Sequence, residues 1–247
     1  MVINTNIEAM ANANNLNASS ARLAKSLSRL SSGSKIVAPS DDAAGLAVSS
    51  RLKGQIVRLD AALTNVINAV SFTQTQDGFL KTIDGAFRRM GELAMLSMDQ
   101  TKANTDRTLY NAEFAQLVEF VNVTKSKQFN EQNLFDGASL DVTVDSSGAT
   151  FALSGVNLMT GTSYANATDS TINISSTAGA ISALELVKIA LTQIAKDRST
   201  LGALQTRLNY TSEQLLVTKE NLSSAVSRIS DVDVAIEATE YARGQIL

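Results

Sequence analysis

The sequence predicts a mainly α protein, an elongated antiparallel helical rod built as a coiled-coil-like bundle of long helices, with a small β-hairpin region. Three observations carry that expectation. Every seventh residue from Val187 to Ile229 is aliphatic (Val187, Ile194, Leu201, Leu208, Leu215, Leu222, Ile229), and apolar side chains at that interval lie along one seam of an α-helix. A second seam steps by four and three through Leu52, Ile56, Leu59, Leu63, Val66 and Val70. The chain of 247 residues contains one proline and 13 glycines and is only 5% aromatic, which favours long helices with small side chains at their contacts. At about 1.5 Å of rise per residue, the first seam runs for roughly 65 Å.

The first segment carries Leu16, Leu23, Leu27 and Leu30 on one stripe and reads as a helix over about 5–31. Its opposite face is Ser, Asn and Ala, open to close approach by a second surface. Two readings stay open here: a docked terminal helix, or a helix that orders on assembly. Gly33 suits a left-handed helix C-cap, and Pro39 argues against a helix running through Ala38. Ser40 is then a candidate N-cap for the next helix, with Asp41 and Asp42 in its first turn complementing the helix dipole. The local sequence offers too few converging oxygens for a metal site.

After Val70 the stripe slips in phase and continues through Phe72, Phe79, Ile83, Ala86, Met90 and Leu93, as a straight helix drifts against a seven-residue repeat. Gly45 and Gly54 fall inside this pattern, where each costs about 1 kcal/mol relative to Ala, offset if a neighbour approaches closely. The polar stretch 104–107 breaks the pattern. Tyr110, Phe114, Leu117 and Val121 then start a shorter helix antiparallel to the last. Between Ala138 and Gly179, Ser, Thr, Gly and Asn dominate. Alternation through Leu140, Val142 and Val144, then Asp145-Ser-Ser-Gly148, then Phe151 and Leu153 reads as a β-hairpin, with Ile172 and Ile174 as a third short strand. In the final ladder the interleaved positions Leu184, Leu191, Arg198, Gln205, Ser212, Lys219 and Val226 are apolar only at the ends. Polar residues in the middle of such a seam set register rather than add stability. Two seams far apart in the sequence argue that the two halves pair as antiparallel helices, leaving both terminal helices short of intramolecular core.

Composition excludes whole classes of function. The chain is 44% hydrophobic and 18% charged with a net charge of −3, so nothing in its charge favours nucleic acid or an anionic membrane. Its longest apolar runs are shorter than the ~20 residues that span a bilayer, so no membrane insertion is expected. Cysteine and histidine are absent, which rules out disulfides, thiolate nucleophiles, histidine bases and Cys/His zinc sites. No enzyme, metal or cofactor is predicted. Residues 1–20 lack the basic and apolar regions of a Sec signal peptide, leaving a cytoplasmic protein or one exported by another machine.

The block Arg29-Leu-Ser-Ser-Gly-Ser-Lys-Ile36, followed by Ser40-Asp-Asp-Ala-Ala-Gly-Leu-Ala-Val-Ser49, resembles the N-terminal signature of bacterial flagellin. Met1-Val-Ile-Asn-Thr-Asn6 resembles the start of that family, and Phe129, Asn130, Leu134 and Gly137 fit its pattern. Asn221-Leu222 through Ser227-Arg-Ile-Ser-Asp-Val-Asp-Val-Ala235 and Glu237 resemble its C-terminal signature. Arg228 and Asp231, three apart there, make a candidate helix-surface pair.

The resemblance implies a structural subunit of the flagellar filament that polymerises by helix packing. It implies partners as well: the chain itself, the flagellar type III export apparatus and an export chaperone, and the filament cap and hook-junction proteins. It implies a secreted, extracellular location. Leu16, Leu23, Leu27 and Leu30 would serve terminal-helix assembly. Arg88 to Ala94 resembles the segment read by the flagellin-sensing Toll-like receptor of animal hosts, with Arg89, Leu93 and Glu113 at matching positions and Met90 and Gly91 departing from the commoner residues. Its organisation would be 1–40, a terminal helix and linker; 41–137, the N-terminal part of the rod; 138–180, a short variable surface region; 181–229, the long C-terminal helix; and 230–247, the start of a further helix. The family implies that this helix runs on by a few turns, so a chain ending at Leu247 reads as a truncated or an unusually short form. The short 138–180 region resembles a minimal outer domain. Asn166 and Asn173 begin N-x-[ST] triplets, but Ser/Thr-linked sugars fit a bacterial surface better. A hook-filament junction protein is the alternative within the superfamily. An inserted protease, found in some flagellins, would need an H-E-x-x-H helix that a histidine-free chain cannot supply.

Overall fold

A computed structural model describes residues 6–246; the opening motif up to Thr5 and the final Leu247 lie outside the described residues. Among the described residues, six α-helices and four short strands follow one another. They form two compact units, one built from residues up to Asp60 together with those from Leu216 onward, the other from Ala61–Leu215. Helices α2 (Ala43–Met98) and α5 (Thr177–Ser230) each contribute to both.

In the first unit, α1 (Ile7–Ser32) starts where the Asn6 side chain accepts the Ala9 N–H at 3.1 Å and ends on Gly33 at φ 66°. The linker that follows departs from expectation. Asp42, not Ser40, caps α2: its carboxylate accepts the Gly45 N–H at 2.8 Å and its carbonyl the Leu46 N–H at 3.0 Å. A Cβ on Gly45 would collide with that Asp42 side chain and with Ile36, which explains the glycine there, whereas at Gly54 it would meet only the flexible end of Arg58. Asp41 turns back to hold the linker, accepting the N–H groups of Val37 and Ala38 at 3.2 and 3.3 Å and pairing with Lys25 at 2.6 Å. The Lys25 hydrogen bond and the two backbone donors hold the Asp41 carboxyl down at about 2. Within this unit α2 and α5 are tied by Asp60 and Lys219 at 2.6 Å, and α6 (Val234–Ile246) follows α5.

The second unit holds the dense core. Val66, Phe72, Leu80, Ile83, Phe87, Met90 and Leu93 of α2 are buried, as are Phe114, Val118 and Val121 of α3 (Asn104–Lys125) and Val187, Ile194, Leu201, Leu208 and Leu215 of α5. On α3 the buried stripe runs through Val118, with Tyr110 and Leu117 at its half-buried margin. Asp77 and Arg198 bridge α2 and α5 at 2.7 Å. The polar seam positions Arg198 and Lys219 therefore each meet a carboxylate on α2. The turn from α2 to α3 is held by buried Arg107, whose guanidinium donates to the carbonyls of Ser97 at 2.9 Å and Asp99 at 2.8 Å and to the Asn104 side chain. Those bonds satisfy carbonyls that a helix C-terminus otherwise leaves unpaired. One stretch of α5 would be long and apolar enough to cross a membrane, with a mean hydropathy of 1.4, yet α5 buries its aliphatic ladder side chains from Val187 to Leu215 in protein.

Two small hairpins complete this unit. β1 (Gln128–Phe129) and β2 (Gln132–Asn133) pair antiparallel across Asn130 and Glu131, both at positive φ, a turn that the sequence reading did not anticipate. Phe129 and Phe135 pack edge-on against Phe72 and Phe79 of α2. The predicted hairpin is β3 (Leu140–Thr143) against β4 (Thr150–Leu153), with Leu140 opposite Leu153, and the Arg207 guanidinium of α5 lies 3.9 Å above the Phe151 ring. The third strand expected at Ile172 and Ile174 is absent: the Ile174 N–H is taken by the Asn111 side chain at 2.8 Å and its carbonyl accepts from Ser97, so no ladder partner is left. A short helix, α4 (Thr162–Ala167), lies ahead of it, and its buried Tyr164 donates to Asp197 of α5 at 2.5 Å.

Candidate assembly interface

The terminal helices α1 and α6 form a pair in which most apolar residues of the described stretch are exposed. They run antiparallel. The Ser26 hydroxyl donates to Glu237 Oε1 at 2.5 Å, Arg29 Nη1 lies 3.7 Å from Glu237 Oε2, and a Cβ on Gly244 would lie 3.3 Å from Leu23 Cδ1. Glycine at 244 thus lets the two backbones close in. Ser26 is the one buried residue of α1 among the described residues, and α6 buries none. Of the four leucines expected to serve assembly, Leu16 and Leu27 are 67% and 52% exposed, and Leu23 and Leu30 are half-buried. Ile7 and Ile246 are exposed as well, at 77% and 87%. Large aliphatic side chains left in water on two paired helices are the physical signature of an unfilled contact.

Below this pair the two linkers are zipped together. Ser34 and Asp231 form an antiparallel bridge, the Lys35 N–H donates to the Ser230 carbonyl at 2.7 Å and the Val232 N–H to the Gly33 carbonyl at 3.1 Å. The Ser34 hydroxyl donates to the carbonyl of Ser230, at 3.0 Å. These polar ties fall on the two signature blocks, at positions that the sequence marks as helix caps and a helix-surface pair. The clue was there in the small polar residues Ser34, Asp41, Ser230, Asp231 and Glu237, but their partners lie in the other half of the chain. The expected Arg228–Asp231 ion pair does not form, because α5 ends at Ser230 and Asp231 turns into the linker bridge.

The seam residues divide between the units. In the second unit Leu63 and Val70 are half-buried while Val66, Val187, Ile194, Leu201, Leu208 and Leu215 are buried. In the first unit Leu59 is buried but Leu52, Ile56, Leu222 and Ile229 are only half-buried, and Val226 and Ser230 take the inner positions instead. The ladder has drifted there, as a 3.6-residue helix does against a seven-residue repeat.

On α2 and α3 of the second unit, Arg89 and Glu113 face each other in a two-pronged pair, Nε to Oε1 at 2.7 Å and Nη2 to Oε2 at 3.0 Å, and Arg89 also meets Glu92 at 2.8 Å. Hydrogen bonding to Glu113 and then Glu92 pushes the guanidinium pKa further up, and Arg89 in turn holds the Glu113 carboxyl below its usual range. Leu93 is fully buried. The surface at this place is therefore made by Arg89, Glu92 and Glu113, with Leu93 packed beneath it rather than presented to a partner. No group of three or more acidic side chains positioned to hold a metal occurs among the described residues.

Comparison with known proteins bears on this arrangement. Residues 3–139 match the bacterial flagellin N-terminal helical region and residues 184–247 the bacterial flagellin C-terminal helical region. Over its whole length the chain is 36% identical to a flagellin of Halalkalibacterium halodurans and 35% identical to the flagellar filament core protein flaB2 of Brachyspira hyodysenteriae, covering 92% of each. The crystal structure of Bacillus cereus flagellin superposes with a TM-score of 0.54 at 24% identity, over 62% of this chain and 88% of that one. A putative flagellar hook-associated protein from Vibrio parahaemolyticus gives a TM-score of 0.68 at 13% identity, over 77% and 100%. Both of these likenesses are of fold.

Proposed function

The chain belongs to the bacterial flagellins and is a structural subunit of the flagellar filament, and we propose that it polymerises by burying the exposed stripes of α1 and α6 against neighbouring copies. The observation that carries this is the exposure of Leu27 on α1 and Ile236 on α6 in the stretch where the two helices meet through Ser26 and Glu237, with Ser26 alone buried among the described residues. Burying aliphatic surface at about 25 cal/mol per Å² supplies the drive, and repetition along a helical lattice turns a modest contact into a stable filament. Leu16, Leu23, Leu27 and Leu30 are the assembly residues of α1. Leu52, Ile56, Leu59, Leu63, Val66 and Val70, with the ladder from Val187 to Ile229, hold each subunit stiff enough to stack.

The role is structural rather than enzymatic, as the family implies. The subunit leaves the cell through the flagellar type III apparatus, carried by an export chaperone, and adds to a filament outside the cell between hook-junction proteins and a tip cap. A host Toll-like receptor that senses flagellin would meet Arg89 and Glu113. The hook-junction alternative is not favoured, because relatives that match this chain over its full length are named flagellin or flagellar filament core protein. The test is sedimentation and negative-stain microscopy of the purified chain after adding short filament seeds. Seeded growth of long filaments is expected, and a chain that stays in the supernatant at every concentration overturns the reading.

A further inference from the structure

Between α5 and the loop that leads from β4 into α4 lies a cleft of about 370 Å³, wholly inside the second unit. Its floor is apolar: Leu201 and Tyr164 are each 1% exposed, and Val156 is buried beside them. Its rim is hydroxyl and amide. The hydroxyls of Ser154, Thr162 and Ser163 have no protein partner among the described residues, and Gln193 spends its amide N–H on Asp197 and keeps its Oε1 open. Asp197 stands at the centre. Its Oδ2 accepts the Tyr164 hydroxyl and its Oδ1 the Gln193 Nε2–H at 2.7 Å, and no lysine or arginine pairs with it among the described residues. A carboxylate offers about four acceptor positions, so Asp197 has capacity left over. Burial, and then the bond to Asp197, push the Tyr164 phenol above its ordinary range, which keeps it a donor. The wall is already built. Asn157 accepts the Thr160 N–H at 2.9 Å and donates to its hydroxyl at 2.7 Å, the Leu158 N–H donates to the Phe135 carbonyl at 3.1 Å, and a Cβ on Gly161 would lie 2.6 Å from the Asn157 carbonyl.

We propose that this cleft binds one neutral sugar ring, with the C–H face of the ring on Leu201, Val156 and Tyr164 and two neighbouring hydroxyls donating to Asp197. The ligand and the cleft are amphipathic in the same way. A sugar carries C–H groups on a face and, around its edge, hydroxyls that both donate and accept; the rim offers the same two roles, with Asp197 and the Gln193 Oε1 accepting and the Ser and Thr hydroxyls doing either. An alkylammonium would satisfy Asp197 and leave the rim unused. A phosphate or carboxylate would be repelled by it. Ligand clefts run from about 300 to 1,000 Å³, so the volume here admits one ring rather than an oligosaccharide. A preformed wall spares the binding step the cost of ordering a loop. A free sugar and the terminal residue of a glycan share this chemistry.

The test is saturation-transfer NMR on the full chain, which reads bound ligand whether the chain is monomeric or polymerised. The probes are glucose, galactose, mannose and N-acetylglucosamine, each also as its methyl glycoside, with ethylammonium as the cationic comparison. Saturation of at least one sugar is expected, strongest on the C–H protons of one ring face, with a Kd on the order of 1–10 mM. Ser163→Leu fills the cleft without touching the bonds to Asp197 and is expected to abolish the signal. Asp197→Asn keeps an acceptor for the Tyr164 hydroxyl but loses the charge, and is expected to weaken binding about fivefold. Circular dichroism checks that both variants keep their helices. A methyl glycoside that binds as well as its parent sugar assigns the cleft to the end of a glycan, and one that fails to bind assigns it to a free sugar. No saturation of any sugar, a signal that survives in Ser163→Leu, or binding of ethylammonium alone overturns the proposal.

Discussion

Leu208 lies at the centre of the buried ladder and is 0% exposed, whereas Leu222, two rungs later in the same seven-residue pattern, is half-buried. Replacing Leu208 with Ala removes three carbons from a closed site, about 2.4 kcal/mol of transfer at about 0.8 kcal/mol per methylene. The cavity left behind brings the total to about 3–4 kcal/mol. Leu222→Ala removes atoms already partly in water and leaves no closed cavity, so it is expected to cost about 1 kcal/mol. Urea unfolding followed by circular dichroism at 222 nm reads the difference. With a slope of about 2–3 kcal/mol per molar, the Leu208 variant should melt about 1–1.5 M earlier and the Leu222 variant less than half as far. Leu208→Asp should be worse still, since an unpaired carboxylate in a dry seam adds several kcal/mol. Equal midpoints for the two alanine variants would refute the argument that burial, rather than the heptad pattern itself, sets the energy of each rung.

The Asp41 carboxyl is held at about 2 against an ordinary 3.8. A folded value below the unfolded one means that its contribution is complete above about pH 4 and is lost as pH falls through 2, so Asp41→Asn should flatten the stability of α1 between those limits in an acid titration followed by circular dichroism. Glu131 sits at φ 65° in the β1–β2 turn, and Glu131→Gly should stabilise the chain by about 0.5–1 kcal/mol; a lower midpoint in urea would mean that the Glu131 side chain contributes something the turn geometry does not reveal. Arg89→Ala removes the two-pronged bond to Glu113 and is expected to weaken signalling through the flagellin-sensing receptor in a reporter-cell dose response while filament growth continues. An unchanged dose response would take Arg89 out of the proposed contact.

Much of the helical frame is legible from periodicity because a seam is a local property: Val187, Ile194 and Leu201 declare a helix and its inner face without knowledge of the partner. Gly33 declares a left-handed cap for the same reason. Long-range polar pairings do not show in this way. Nothing near Asp41 says that it will hold Lys25 and two linker amides, so the capping role fell to Asp42, the residue left free to take it. Nothing near Glu237 says that Ser26 and Arg29 will converge on it from 211 residues away in the case of Ser26. Ile172 and Ile174 alternate like a strand, but a strand needs a neighbour with open backbone groups, and Asn111 and Ser97 had already taken those of Ile174.

Sequence by itself determined that the chain would be long helices with small-residue contacts, without thiol, imidazole or zinc chemistry, and with the signature blocks of a filament protein, because composition, period and alphabet are read residue by residue. Tertiary structure alone decided which rungs are truly dry, which polar seam residues find a carboxylate, that Leu93 lies beneath the Arg89 surface, and that α1 and α6 meet while Leu16 and Leu27 stay exposed. Those outcomes depend on where distant segments cross and on how far a 3.6-residue helix has turned by the time they do, and no local pattern carries that information.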